Sequence, residues 1–177
     1  GISEDRNYQN FQEMAEKECN RSDGIEVVAV VTPNHLHVPI AKIFAEKGIH
    51  IICDKPLALS SEEAIDLKQL VKSKKIIFAL THIYTGYPMV RHARALIKKG
   101  DIGSIRVIQA EYPQDWLTTK AEDNGLKQAE WRTDPKRSGA GGCIGDIGTH
   151  AFNLIRFIIL KSLFFLNNFN NNSKFLK

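Results

Sequence analysis

Three apolar, β-branched runs, each followed by a helix signal, leave this chain few ways to fold. Residues 25–31 (IEVVAVV), 49–53 and 76–80 read as strands. Between them, residues 36–47 carry a helical pattern closed by Gly48. Ser60 with Glu63 forms the capping pattern that opens a second helix, reaching about residue 73. Strand and helix alternate with short connections, which implies βαβ units and an α/β fold built on a parallel sheet. The β-branched run at 25–31 predicts a strand buried on both faces.

The flanking segments extend this pattern. Residues 7–19 carry Tyr8, Phe11, Met14 and Ala15 at helical spacing. Residues 88–99 read as a helix stopped by Gly100. Residues 105–112 alternate in the manner of a half-exposed antiparallel strand, so a change of architecture is expected near 100–104. Residues 151–166 are strongly apolar, but Arg156 and Lys161 interrupt them. The run is also shorter than the roughly 20 residues of a membrane span, so it reads as a core helix. Residues 167–177 (NNFNNNSKFLK) are an asparagine-rich, low-complexity tail.

Charge and cysteine usage exclude some functions. Lysine and arginine number 24 against 20 acids, a net charge of +4, and they are spread along the chain, so nucleic-acid binding is not indicated. Cys19, Cys53 and Cys143 are too widely spaced for a zinc site and are expected to be free thiols in a reducing, cytoplasmic setting.

Two segments carry candidate chemistry. Thr32-Pro33-Asn34 and Asp54-Lys55-Pro56 both fall at the carboxyl ends of expected strands, the edge where open α/β sheets bind ligands. His35 and His37 follow the first of these and read as surface or cap histidines. Lys55 is either a solvated turn lysine or an ammonium held in a pocket, where it would polarise a substrate oxygen. The second segment is 131–153 (WRTDPKRSGAGGCIGDIGTHAFN). Here Asp146 and His150 stand four apart, a spacing that stacks them on one α-helical face. Trp131 and Arg132 read as core plus salt bridge or as a pocket wall. The glycines 139–145 follow a loop rather than a strand, so they do not make a phosphate-binding turn. Together, Lys55, Asp146 and His150 suit alcohol oxidation or carbonyl reduction. His150 would take the hydroxyl proton, Asp146 would orient it, and Lys55 would stabilise the developing charge.

TPNHLH (32–37), CDKPLA (53–58) and GDIGTHAFN (145–153) together resemble the Gfo/Idh/MocA family, the glucose–fructose oxidoreductase and inositol dehydrogenase group. Asp54 stands where the family usually has Glu. The resemblance implies an NAD(P)-dependent sugar or polyol dehydrogenase whose substrate is a small molecule. Its fold would be an incomplete Rossmann-like parallel sheet (1–104) followed by the beginning of a second α+β domain (105–160), with a tail at 161–177. It makes Lys55, Asp146 and His150 the catalytic set. It places Thr32, Pro33, Asn34, His37, Asp54 and Lys55 by an NAD or NADP cofactor, and Lys55, Trp131, Arg132, Asp146 and His150 by the substrate. No strand followed by G-x-G-x-x-G occurs in the 177 residues, so weak cofactor binding and impaired activity of a truncated product are expected. The alternative expectation is a non-enzymatic remnant or interaction module pairing through its unfinished sheet, with homo-oligomers as one outcome.

Overall fold

The computed structural model describes residues 3–159, and the expected tail at 161–177 lies outside them. Its contacts divide the chain into two compact units. Among the described residues, the first comprises 3–81 and Gln114–Asp146, and the second comprises His82–Pro113 and 147–159. The position expected for the change of architecture, 100–104, falls within the second unit.

The first unit holds the expected α/β core. Helix α1 (Phe11–Glu18) precedes β1 (Val27–Val30), α2 (His37–Glu46), β2 (His50–Asp54), α3 (Ser61–Lys74) and β3 (Phe78–Thr81). The strands pair in parallel in the order β1-β2-β3. Val30 lies opposite Cys53, and Asp54 opposite Thr81, so the carboxyl ends of all three strands meet along one rim. Each helix begins and ends as local chemistry requires. The Asn10 side chain caps α1 by accepting from the Glu13 N–H. Ser60 accepts from the Glu63 N–H, while the Glu63 carboxylate reaches back to the Leu59 N–H, a slightly displaced version of the expected capping box. Gly48, at φ 79°, turns the chain out of α2.

One face of the sheet packs on the helices. Val28, Val30, Ile51 and Cys53 are buried with Ala41, Phe44 and Leu67. The other face is apolar yet open: Val27 is 48% exposed, Ile52 41% and Ile77 67%. The expectation that β1 is buried on both faces is therefore corrected. β1 alternates exposed and buried, because among the described residues the core lies on one side of the sheet only. Cys53 sits in that core, and burial pushes its thiol up to about 12. Cys19 and Cys143 are exposed, and all three are free, as expected.

A buried carboxylate fastens α1 to β1. Glu18 is 2% exposed, accepts from the Tyr8 hydroxyl and the Ile25 N–H, and pairs with Arg6 at 3.7 Å. The Tyr8 bond, helped by the Ile25 N–H and by Arg6, holds the Glu18 carboxyl below its ordinary range against the opposing effect of burial. A carboxyl depressed in the folded state stabilises it fully above the unfolded-state value, and this contribution is lost as pH falls through the folded-state value. Glu18→Gln should therefore flatten the acid side of the stability profile. Urea unfolding at neutral and acidic pH should show the wild type losing more stability than the variant on acidification.

The remainder of the first unit is short helix and loop. α5 (Lys127–Arg132) and α6 (Pro135–Ser138) are joined through Thr133 and Asp134, and Asp134 caps α6 by accepting from the Lys136 N–H. In the second unit, α4 (Pro88–Lys99) ends at Gly100, φ 87°, as the sequence predicts. It packs on α7 (Thr149–Ile159), where the Arg94 guanidinium lies 4.3 Å from the Phe157 ring centroid.

Two sequence expectations are corrected in this region. Residues 105–112 form no strand, since a strand needs a partner ladder and none is present among the described residues. The helix carrying Asp146 and His150 is not uniformly α. Ile144–Gly148 is a π-helical turn, so α-helical i, i+4 stacking does not apply to a pair that begins at Asp146. Among the described residues, no helix is long and apolar enough to cross a membrane.

Candidate functional site

The rim of the sheet in the first unit opens into a cleft of about 280 Å³. Its lining brings together Thr32, Pro33 and Asn34 after β1, Asp54 and Lys55 at the end of β2, and Trp131, Arg132 and Asp146 from the later segment. Each side chain is held by the element that carries it. Asp54 closes β2, and its carboxylate accepts from the Thr81 hydroxyl at 2.7 Å, tying the ends of β2 and β3. Lys55 follows at once, and the Lys55–Pro56 bond is cis. Asn34 is 6% exposed and donates to the Ser138 carbonyl at 3.0 Å, which docks α6 against the loop after β1.

His37 is a buried strut rather than the surface or cap residue its sequence position suggests. It is 1% exposed, with Nδ1 2.7 Å from the Pro56 carbonyl and Nε2 2.8 Å from the Thr32 carbonyl. Both partners are acceptors, and a neutral imidazole can donate to only one of them. The ring therefore spaces the two rim loops from within the protein.

The charged centre is a carboxylate gripped from two sides. The Lys55 ammonium donates to Asp146 Oδ1 at 2.6 Å and to the Asp146 backbone carbonyl. The Arg132 guanidinium donates to Asp146 Oδ2 at 3.2 Å. Lys55, Asp146 and Arg132 side chains are only 16%, 22% and 24% exposed, so solvent screens these pairs incompletely. Arg132 is itself positioned. It lies 4.2 Å from the Trp131 ring centroid and 5.7 Å from that of Trp116, and it donates to the Gln128 side chain and carbonyl. Lys55 and Arg132 flank the Asp146 carboxylate, and the Asp54 carboxylate lines the same cleft. An ammonium held in this way suits an oxygen that gains negative character during reaction.

His150 belongs to the second unit and is 8% exposed there. Its ring lies edge to Tyr84, with centroids 4.7 Å apart, and 6.4 Å from Tyr112.

In the cleft, Thr32 Oγ1 is buried and has no hydrogen-bond partner among the described residues. Among the described residues, no glycine-rich turn between a strand and a helix offers a seat to a pyrophosphate. No group of three or more His, Cys, Asp or Glu side chains that could hold a metal ion is found among the described residues.

Sequence reasoning named Lys55, Asp146, Arg132, Trp131 and the 32–34 loop. It missed Gln128, Trp116, Thr81 and Ser138, whose contributions depend on partners remote in sequence. It also missed Tyr84 and Tyr112 beside His150.

Comparison with known proteins gives a consistent picture. Residues 2–82 match a family described as an oxidoreductase family with an NAD-binding Rossmann fold, and residues 90–163 match the GFO/IDH/MocA C-terminal domain. An uncharacterised oxidoreductase, YfiI, of Bacillus subtilis is 37% identical over 91% of this chain and 41% of its own length. Levoglucosan dehydrogenase of Pseudarthrobacter phenanthrenivorans is 39% identical over 76% of this chain and 33% of its own length. Among solved structures, an inositol dehydrogenase homologue from Azotobacter vinelandii complexed with NAD+ superposes with a TM-score of 0.86. It is 32% identical, and the match covers 91% of this chain and 41% of that one. The chain thus spans about two fifths or less of the length of these relatives.

Proposed function

This chain belongs to the Gfo/Idh/MocA family of NAD-binding oxidoreductases, and on that premise we propose that its cleft serves hydride transfer between a nicotinamide cofactor and an alcohol or ketone carbon of a sugar or polyol. The observation that carries this reading is the Lys55–Asp146–Arg132 centre at the carboxyl rim of a parallel sheet. A lysine in that setting is a means of stabilising an alkoxide. The printed activities of relatives, levoglucosan dehydrogenase and inositol dehydrogenase homologue among them, support a polyhydroxylated substrate.

The nicotinamide group supplies the hydride acceptor when bound. Thr32, Pro33 and Asn34 would hold its near end, with Asp54 and Lys55 beside it. Lys55 has three N–H donors, of which Asp146 takes two; we assign the third to the substrate oxygen. As the carbinol C–H bond gives up its electron pair, the hydroxyl loses its proton and the C–O bond becomes a carbonyl. Lys55 is assigned to stabilise the negative oxygen while the proton departs to water. Asp146, fixed by Arg132, holds the ammonium in place. Trp131 and Arg132 form the wall against which the substrate rests.

Binding tests the cofactor part of this reading. With no glycine-rich pyrophosphate turn in its 177 residues, the chain should bind NADH or NADPH only weakly. Nicotinamide fluorescence titration should give a dissociation constant well above the micromolar range. Micromolar affinity would show that the pyrophosphate is gripped by residues we have not assigned.

A further inference from the structure

One residue lining the cleft takes no part in the proposed hydride transfer. Gln128 is exposed and stands with Trp131, Arg132 and Asp146 in that lining, all within the first unit. It lies in α5 four residues before Arg132, a spacing that puts the two side chains on one helical face.

The two residues are joined twice. Arg132 Nη1 donates to the Gln128 backbone carbonyl at 3.2 Å and to the Gln128 side-chain oxygen. The guanidinium is itself held, through Nε on Asp146 Oδ2 at 3.2 Å and against the Trp131 and Trp116 rings. This fixes the sense of the amide. A guanidinium has donors only, so the limb of Gln128 turned toward it is the carbonyl oxygen. The other limb, Nε2, carries two N–H donors and meets no acceptor among the described residues. An unanchored glutamine offers a ligand either limb, whereas this one offers donors alone.

A donor set in this way selects oxygens that accept. It stands one helical turn from Arg132, part of the wall against which the substrate is proposed to rest. Hydroxyl oxygens are the acceptors that a sugar or polyol carries in number. We propose that Gln128 is a specificity-determining residue, its Nε2 amide donating to one hydroxyl oxygen of the bound sugar or polyol. The ligand class rests on the oxidoreductase reading, but the contact itself is measurable without turnover.

The full 177-residue chain, labelled with 15N-glutamine, shows the Gln128 side-chain amide as the signal pair lost in Gln128→Met. Glucose, xylose, mannitol and myo-inositol are then titrated in turn. At least one should move that pair. A pair unmoved by every one of them, or moved by NADH alone, overturns the proposal. For the compound that binds, one mono-deoxy derivative should bind the wild type about fivefold more weakly than its parent, the loss expected for one neutral hydrogen bond. That difference should vanish in Gln128→Met, since the group that met the missing hydroxyl is gone. Gln128→Ala repeats the measurement should the methionine variant not fold. A loss of affinity in these variants that falls equally on the parent and every derivative marks an anchor for Arg132 only, and overturns the proposal. Hydride transfer by a chain whose Gln128 pair stays unmoved overturns the donor role alone. A moved pair in a chain that transfers no hydride refutes the oxidoreductase reading and keeps the contact.

Discussion

Lys55→Met should reduce hydride transfer by about three orders of magnitude, the range expected when a charged group that stabilises the reacting oxygen is removed. Methionine retains the stem and loses the ammonium. The lost group donates to both the carboxylate and the backbone carbonyl of Asp146. Asp146 keeps its Arg132 partner in the variant, so the cleft wall should stay in place. Lys55→Arg should rescue little, because a planar fork cannot replace a compact ammonium that serves the carboxylate and a carbonyl at once. The rate of reduced nicotinamide formation at saturating cofactor, with an alcohol of the sugar or polyol class, checks this. A Lys55→Met rate within tenfold of the wild type would remove Lys55 from the chemistry.

Gly24→Ala should cost about 3 kcal/mol of stability, at the upper end for overpacking a rigid site. A Cβ at Gly24 would stand 2.0 Å from the Glu18 backbone carbonyl oxygen and 3.2 Å from that of Arg21. These atoms cannot step aside. The Glu18 carbonyl accepts from the Arg21 N–H, and the Glu18 side chain is buried against Tyr8 and Ile25. Any relief must shift the end of α1 or the start of β1, and β1 leads directly to the Thr32–Asn34 rim. Urea unfolding of the variant is the check. A loss below about 1 kcal/mol would mean that the turn is looser than its geometry indicates.

Much of the α/β core was legible because it is encoded locally. β-branched runs gave the three strands to within a residue or two. Ser60, Gly48 and Gly100 marked helix ends through capping chemistry that depends only on neighbours. Non-local facts were harder to read. The apolar run around β1 signals burial on both faces, yet Val27 and Ile52 are exposed, since burial depends on what else packs there. The alternation at 105–112 is a real pattern, but pattern alone does not supply a partner strand.

The site divides in the same way. Lys55 and the 32–34 loop were readable because parallel strands bring their carboxyl ends to one rim. The grip on Asp146 joins residues 91 and 14 positions apart, and no local signal announces it. His37 read as a surface histidine because nothing near it in sequence reveals the two carbonyls it spans. The glycines at 139–148 gave no warning of the π-helical turn that carries Asp146.

Deuterium transfer tests the central claim most directly. The chain would be incubated with millimolar NAD+ or NADP+ and a polyol deuterated at its carbinol carbons, and the nicotinamide product examined by mass spectrometry. The account predicts deuterium on the reduced nicotinamide with the wild-type chain and almost none with Lys55→Met. Absence of transfer from every sugar and polyol tried, or equal transfer by the Lys55 variant, would contradict it.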